Sequence, residues 1–296
     1  MFRSKGKQVA MAVIAVGITG YIGVKYYLAG EVEKKVSRAV GSVSDYVDIE
    51  YGDVSVGLLS RAVHIEDIVV LQPGGGEIKI DDVVIHEIDD RHNAPHFARV
   101  ALKGVELEVT PANFGLASEV LRSMGYEELE LSMEVDYNYR KKGGDLNVTQ
   151  QIEVDDMGSY SASLKLAGID LDDNLQPDMM TLQRIKVSDS KVAYEDDSFI
   201  ERLIEYGAEE KGVDADDIVD EIRMGLKQTI EAAKRKDSEF VVESLEQLSE
   251  FIEDPDAIEI TMTPKKPLSY QEIILLGMRR DETALIKALN LRVRAK

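Results

Sequence analysis

Cysteine is absent from all 296 residues. With it go disulfides, thiolate nucleophiles, iron–sulfur clusters, cysteine zinc sites and a lipoprotein attachment point. An exported compartment permits disulfides without requiring them, so this absence leaves location open and makes the fold stand on packing alone. Positive charge is the second scarcity. The net charge is −21, and because Arg3, Lys5, Lys7 and Lys25 are the only charges in the first thirty residues, the remainder stands at −25. A body of that balance repels polyanions, which sets DNA and RNA aside as partners. Catalytic signatures are missing too: there is no Gly-x-Ser-x-Gly elbow, no Ser-x-x-Lys with its partner motifs and no dinucleotide fingerprint. Carboxylates are so abundant that pairing any two as acid and base carries no information, and we expect a non-enzyme without a cofactor.

What is present begins with a membrane signal. Val9 to Val24 is a run of sixteen uncharged residues, and Tyr26, Tyr27, Leu28 and Ala29 extend it past Lys25. A hydrocarbon core about 30 Å thick needs close to twenty helical residues; Lys25 can snorkel and the two tyrosines suit the headgroup level. Arg3, Lys5 and Lys7 precede the run, so the positive-inside rule predicts a cytoplasmic N-terminus and a periplasmic bulk, anchored once in the inner membrane. A cleaved signal peptide and an organellar transit peptide are the competing readings. Tyr27 and Ala29 do not supply the small residues that a cleavage site requires, which favours an uncleaved anchor.

A hydrophobic fraction of 44% with 31% charged residues belongs to a folded chain. We divide it into a basic tip and anchor at 1–30, a juxtamembrane helix at 31–46, a β-sheet body at 47–196 and a helical region with closing strands at 197–296. Val32, Val36 and Val40 give the second segment one apolar face. From Val47 the period changes to two, and at least seven further alternating segments follow, from AVHIEDIVVL to LQRIKVSDSKVAYE. PGGG at 73–76 and KKGG at 141–144 have hairpin chemistry. One helix interrupts the strands, capped by Thr110 with Pro111 at its first position.

The period returns to helical between Ser198 and Asp254. Ile218, Ile222, Leu226 and Ile230 mark one amphipathic helix, and Val241, Leu245, Leu248 and Ile252 another. A strand AIEITM, a helix opened by the capping box Ser269–Glu272 and the alternating LNLRVRA complete the chain. The expected class is α+β: an N-terminal transmembrane helix, a large antiparallel sheet able to curve into a groove, and C-terminal amphipathic helices.

Three of the four histidines fall with Asp89 and Asp90 in HEIDDRHNAPH. Imidazole and carboxylate there could ligate zinc, but Pro95 keeps His92 and His96 off a common helix face, so we read a polar inter-strand loop and assign no metal. DLDDNLQPD fails as a calcium loop, because Leu175 and Thr181 stand where the turn glycine and the bidentate glutamate belong.

The span, the short helix, and then Tyr51 to Val56 with Val63-His64-Ile65-Glu66-Asp67-Ile68 resemble the start of AsmA-like envelope proteins over about residues 8–110. That resemblance implies a membrane anchor and a curved sheet whose apolar face guides lipid. The alternative is a membrane-tethered scaffold that binds a protein through its transmembrane or acidic C-terminal helices. An apolar sheet face that is open favours lipid; one filled by Leu226, Ile230, Leu245 and Leu248 favours the scaffold.

Overall fold

The computed structural model describes residues 48–57, 59–71, 77–89, 91–92, 94–171, 184–235, 238–278 and 282–296. The anchor calls at Val9, Val24, Lys25, Tyr26 and Tyr27, the topology calls at Arg3, Lys5 and Lys7, the segment 31–46 and the PGGG turn lie outside them. Among the described residues no helix is long and apolar enough to cross a membrane. The class is α+β, with twelve described strands, antiparallel in every pairing whose register is given below, and seven described helices. The chain divides into two compact units. One takes the described residues through Tyr137 with Ile152–Asp155, the other Asn138–Gln151 and Asp156–Lys296. That division cuts the strands Glu128–Arg140 (β6) and Asp145–Val154 (β7), and does not coincide with the change from strands to helices near residue 196.

The first unit contains β1 (Asp48–Glu50), β2 (Val54–Val56), β3 (Val63–Leu71), β4 (Glu77–Ile88) and β5 (Phe97–Glu108). β3, β4 and β5 form a meander, and β1 and β2 both pair with β3. These strands are β-branched and alternating, as a half-buried sheet requires. Their alternation nevertheless breaks once in each. The buried cluster takes Val63 and Ile65 and then Ile68 and Val70 from β3; Ile78 and Ile80 and then Val83 and Ile85 from β4; Leu102 and then Val105 and Leu107 from β5.

Each strand therefore skips two residues, none of them with an apolar side chain: Glu66-Asp67, Asp81-Asp82 and Lys103-Gly104. Register sets Glu66 opposite Asp82 and Asp82 opposite Lys103, so the three interruptions form a line across the sheet. A two-residue skip would leave the second half of each strand facing the wrong side if the backbone stayed extended. In β3 and β5 it does not stay extended: φ is +53° at Asp67 and +57° at Gly104. The gap between β1 and β2 lies on the same line, where the Gly52 amide donates to the Glu66 carbonyl and the Glu66 amide to the Asp53 carbonyl, both at 2.9 Å. The strands bend there, and both halves deliver apolar side chains to one cluster. Its members are only 0–8% exposed. At about 1.5–3 kcal/mol for each buried aliphatic side chain, this cluster is the main stabilising feature of the unit.

The single helix expected after Thr110 is two short ones, α1 (Pro111–Phe114) and α2 (Ala117–Ser123). Thr110 caps as anticipated, its hydroxyl accepting from the Asn113 amide at 3.4 Å. Gly115 at φ +62° ends the first turn before a second can form. Phe114 packs against the sheet cluster, and Leu121 is buried.

In the second unit β8 (Gly158–Ala167), β9 (Lys186–Asp196), β10 (Ala257–Met262) and β12 (Leu291–Ala295) pair in that order, and β11 (Leu268–Ser269) also pairs with β9. KKGG between β6 and β7 is a turn with φ of +107° and +66° at Gly143 and Gly144, the positive values that glycine admits. Between β9 and β10 lie α3 (Phe199–Lys211), α4 (Ala215–Lys234) and α5 (Glu239–Glu253), one helix more than the periodicity resolved. α5 packs against α4 and against β10 and β12. Phe251 is buried beneath it, edge-on to Tyr194 at 6.3 Å between ring centroids. After β11 come α6 (Tyr270–Met278) and α7 (Glu282–Leu289). The box opening α6 forms as read: the Ser269 amide and hydroxyl both donate to Glu272 Oε2 at 2.7 Å, and the Glu272 amide donates back to Ser269 Oγ at 3.2 Å.

Candidate functional site

The hairpin joining β4 to β5 holds a cluster of polar side chains. The Asp89 amide donates to the Phe97 carbonyl at 2.9 Å, closing the ladder at the mouth of the turn. The Asp89 carboxylate points inward with 1% of its side chain exposed. Its Oδ1 accepts from the Arg91 amide at 3.1 Å; its Oδ2 accepts from the His96 amide at 3.0 Å and from His92 Nδ1 at 2.5 Å. Burial pushes this carboxyl towards protonation, yet the donors from His96, His92 and Arg91 outweigh it and bring the pKa down to about 2. Asp89 is thus a buried, ionised residue that gathers the turn around itself.

The rings of His92 and His96 stack at 3.7 Å between centroids and 13° between planes. Asp89, His92 and His96 each bring a ligand atom within 4.8 Å of the others, so the sequence cluster is assembled after all. Pro95 did keep these residues off a helix, but a tight turn brought their side chains together by another route. Whether they can ligate is a matter of direction. Imidazole lone pairs lie in the ring plane, and an ion about 2.1 Å from both nitrogens would sit well outside two nearly parallel planes. Both Asp89 oxygens are already accepting. In this conformation the cluster orders a loop; ligation requires a ring to turn.

His64 belongs elsewhere, with its Nδ1 2.9 Å from Asp82 Oδ2 on the bend of β3 and β4, and His86 lies in β4 outside the cluster. Asp90 lies outside the described residues, as do Asp172, Asn174, Leu175 and Thr181 of the rejected calcium loop. Tyr137 also supports the turn, donating its hydroxyl to the Pro95 carbonyl at 2.9 Å. Tyr137→Phe removes that bond and is expected to cost about 1 kcal/mol. A melt followed by circular dichroism reads this as a fall of roughly 2–4 °C.

In the second unit the outer side of α4 and α5 forms an open cleft of ≈ 760 Å³ whose lining includes Arg223, Met224, Ile230, Glu250 and Glu253. Arg223 reaches Glu253 at 3.4 Å and Lys234 reaches Glu246 at 3.8 Å, so ion pairs join the two helices across their exposed edge. Such surface pairs contribute little stability, about 0–1 kcal/mol, but they fix which side chains face outward. Ile222 and Met224 are among the apolar residues left exposed on α4.

The molecule is thus an α+β protein with a bent antiparallel sheet in one unit and helices packed on strands in the other. Residues 151–296 match the model of a family described as "Uncharacterized protein". No curated protein matches the chain.

Proposed function

We propose that the chain is a membrane-tethered, non-enzymatic envelope protein, its bulk periplasmic, which acts as a scaffold or adaptor by offering α4 and α5 to a protein partner. The observation that carries this reading is that the apolar side chains of β3, β4 and β5 are already covered and that the inward side of α4 and α5 is taken up by packing. In the first unit the bend folds the strand halves onto one closed cluster. In the second, Ile230 is buried, Leu226, Leu245 and Leu248 are half-buried, and α5 lies on β10 and β12. Where the strands' apolar side chains are filled by the chain's own residues, as over β3, β4 and β5, little is left for a lipid chain to lie along. This weighs against a conduit of the kind the AsmA-like resemblance implies, while leaving the tether that the same resemblance suggests. The acidic, apolar-studded outer side of α4 and α5 suits a basic partner surface.

A photo-crosslinker placed at Met224 in the full-length chain, irradiated in native membranes, tests this. The expected result is one discrete protein adduct that disappears with Glu250→Lys/Glu253→Lys. Crosslinks to lipid alone would return the reading to lipid binding.

A further inference from the structure

We propose that α6 is a second, peripheral membrane contact: a short interfacial helix that lays Ile274, Leu275 and Met278 into an anionic lipid surface. The inference goes beyond the adaptor reading and rests on its tether, which keeps a bilayer within reach.

The argument starts from the pattern of α6. At 100° per residue, Gln271, Ile274, Leu275 and Met278 share one side of the helix, while Ile273 and Leu276 fall on the other. The second pair is half-buried where α6 packs against β11 and α7. The first side faces water, with Ile274 41%, Leu275 48% and Met278 75% exposed. Three large apolar side chains side by side on one short helix are a patch, not the scattered exposure of ordinary surfaces.

Charge says what covers it. In a chain of net charge −21, residues 262–296 carry eight Lys and Arg against three Asp and Glu. Lys265 and Lys266, in the connection from β10 to β11, and Lys287 on α7 are all exposed. An apolar stripe with basic residues on the elements beside it is the composition of a helix that lies in the headgroup layer of anionic lipid. The acidic remainder of the chain is repelled by the same surface, which leaves this end as the one that approaches it. A protein interface fits less well. Nine residues make a helix about 13 Å long, and three side chains fall far short of the roughly 800 Å² per partner that a stable complex buries.

The lack of cysteine makes the test clean, since one introduced thiol is unique. Full-length chain carrying Met278→Cys, and a control carrying Glu210→Cys on the exposed side of α3, are labelled with an environment-sensitive fluorophore. Both are reconstituted into vesicles of phosphatidylcholine alone or mixed with phosphatidylglycerol, with and without doxyl-labelled lipid. The expected result is a blue shift and at least about two-fold quenching at position 278 in the anionic vesicles, with neither at 210. Lys265→Glu/Lys266→Glu should weaken the contact by about five-fold or more per lysine, while the helical signal in circular dichroism is unchanged. If the chain floats with the vesicles and the label at 278 stays unquenched, the contact is refuted and the tether stands. If the chain does not float, both fall. Quenching that is equal in neutral vesicles and insensitive to the lysine changes overturns the anionic assignment, and oxidative disulfide formation between two unlabelled Met278→Cys chains in the same vesicles overturns it in favour of a second copy.

Discussion

Gly104→Ala is expected to cost about 3 kcal/mol and to lower the melting temperature by roughly 6–10 °C. Two terms add. Gly104 has φ +57°, where an L-residue pays about 1–2 kcal/mol for its Cβ. That Cβ would also stand 2.1 Å from Asp81 Oδ2 and 2.5 Å from Asp81 Cγ, so the aspartate must leave its rotamer on the neighbouring strand, at about 1 kcal/mol. The site also lies on the bend line, so relief by flattening β5 would turn Val105 and Leu107 out of the cluster. Gly212→Ala is the matched control. Gly212 has φ +67° at the end of α3 with nothing within 4 Å of its ideal Cβ, so only the backbone term applies and the loss is about 1 kcal/mol. Equal losses at the two glycines would mean that the bend does not depend on the close approach of Gly104 and Asp81.

The bend was legible in the sequence, though not through alternation alone. Alternation located the strands well: EIKIDDVVIHEI is β4 and AIEITM is β10, residue for residue. It is blind to a change of facing within a strand, because a period-two count scores Ile-Glu-Asp-Ile as a flaw. The same flaw occurs in three successive strands, as Ile65-Glu66-Asp67-Ile68, Ile80-Asp81-Asp82-Val83 and Leu102-Lys103-Gly104-Val105. Two-residue breaks in the apolar alternation at positions that register aligns mark a line where the sheet bends. Only the glycine, and an aspartate able to adopt positive φ, hinted at how the chain would do it.

Helices were read with similar unevenness. The capping box at Ser269–Glu272 found the start of α6, since caps are local chemistry. Where the helices stop depended on Gly115 and Gly212, and α3 escaped notice because Phe199, Leu203 and Tyr206 form a weaker stripe than Ile218 to Ile230. The basic balance of the last 35 residues was hidden by an acidic total. For the histidine cluster, spacing excluded a helix correctly and so missed that a turn can bring the same side chains within ligand distance. The residue that organises them was in view as one aspartate among many. Its burial is a tertiary fact, set by the closure of β4 on β5.

Asp89→Asn should accordingly be among the most costly single changes in the first unit, about 2–3 kcal/mol at neutral pH. The carboxylate accepts from two backbone amides and the His92 ring while almost wholly removed from water, and an amide nitrogen in place of one oxygen would face a donor. The pH dependence separates this from a packing defect. The Asp89 pKa is depressed from 3.8 to about 2 in the folded chain, so the unfolded state takes up its proton first as pH falls. Its contribution, about 2 kcal/mol, is fully present above about pH 5 and is lost as pH drops from near 4 through 2. Asparagine does not titrate. Urea midpoints of the two proteins should therefore differ by a constant amount between pH 5 and 8, on the order of 1 M for a slope of about 2 kcal/mol/M, and draw together from about pH 4 until they nearly meet at about pH 2. A gap that stays open down to pH 2 would mean that the side chain's shape, and not its charge, orders the turn.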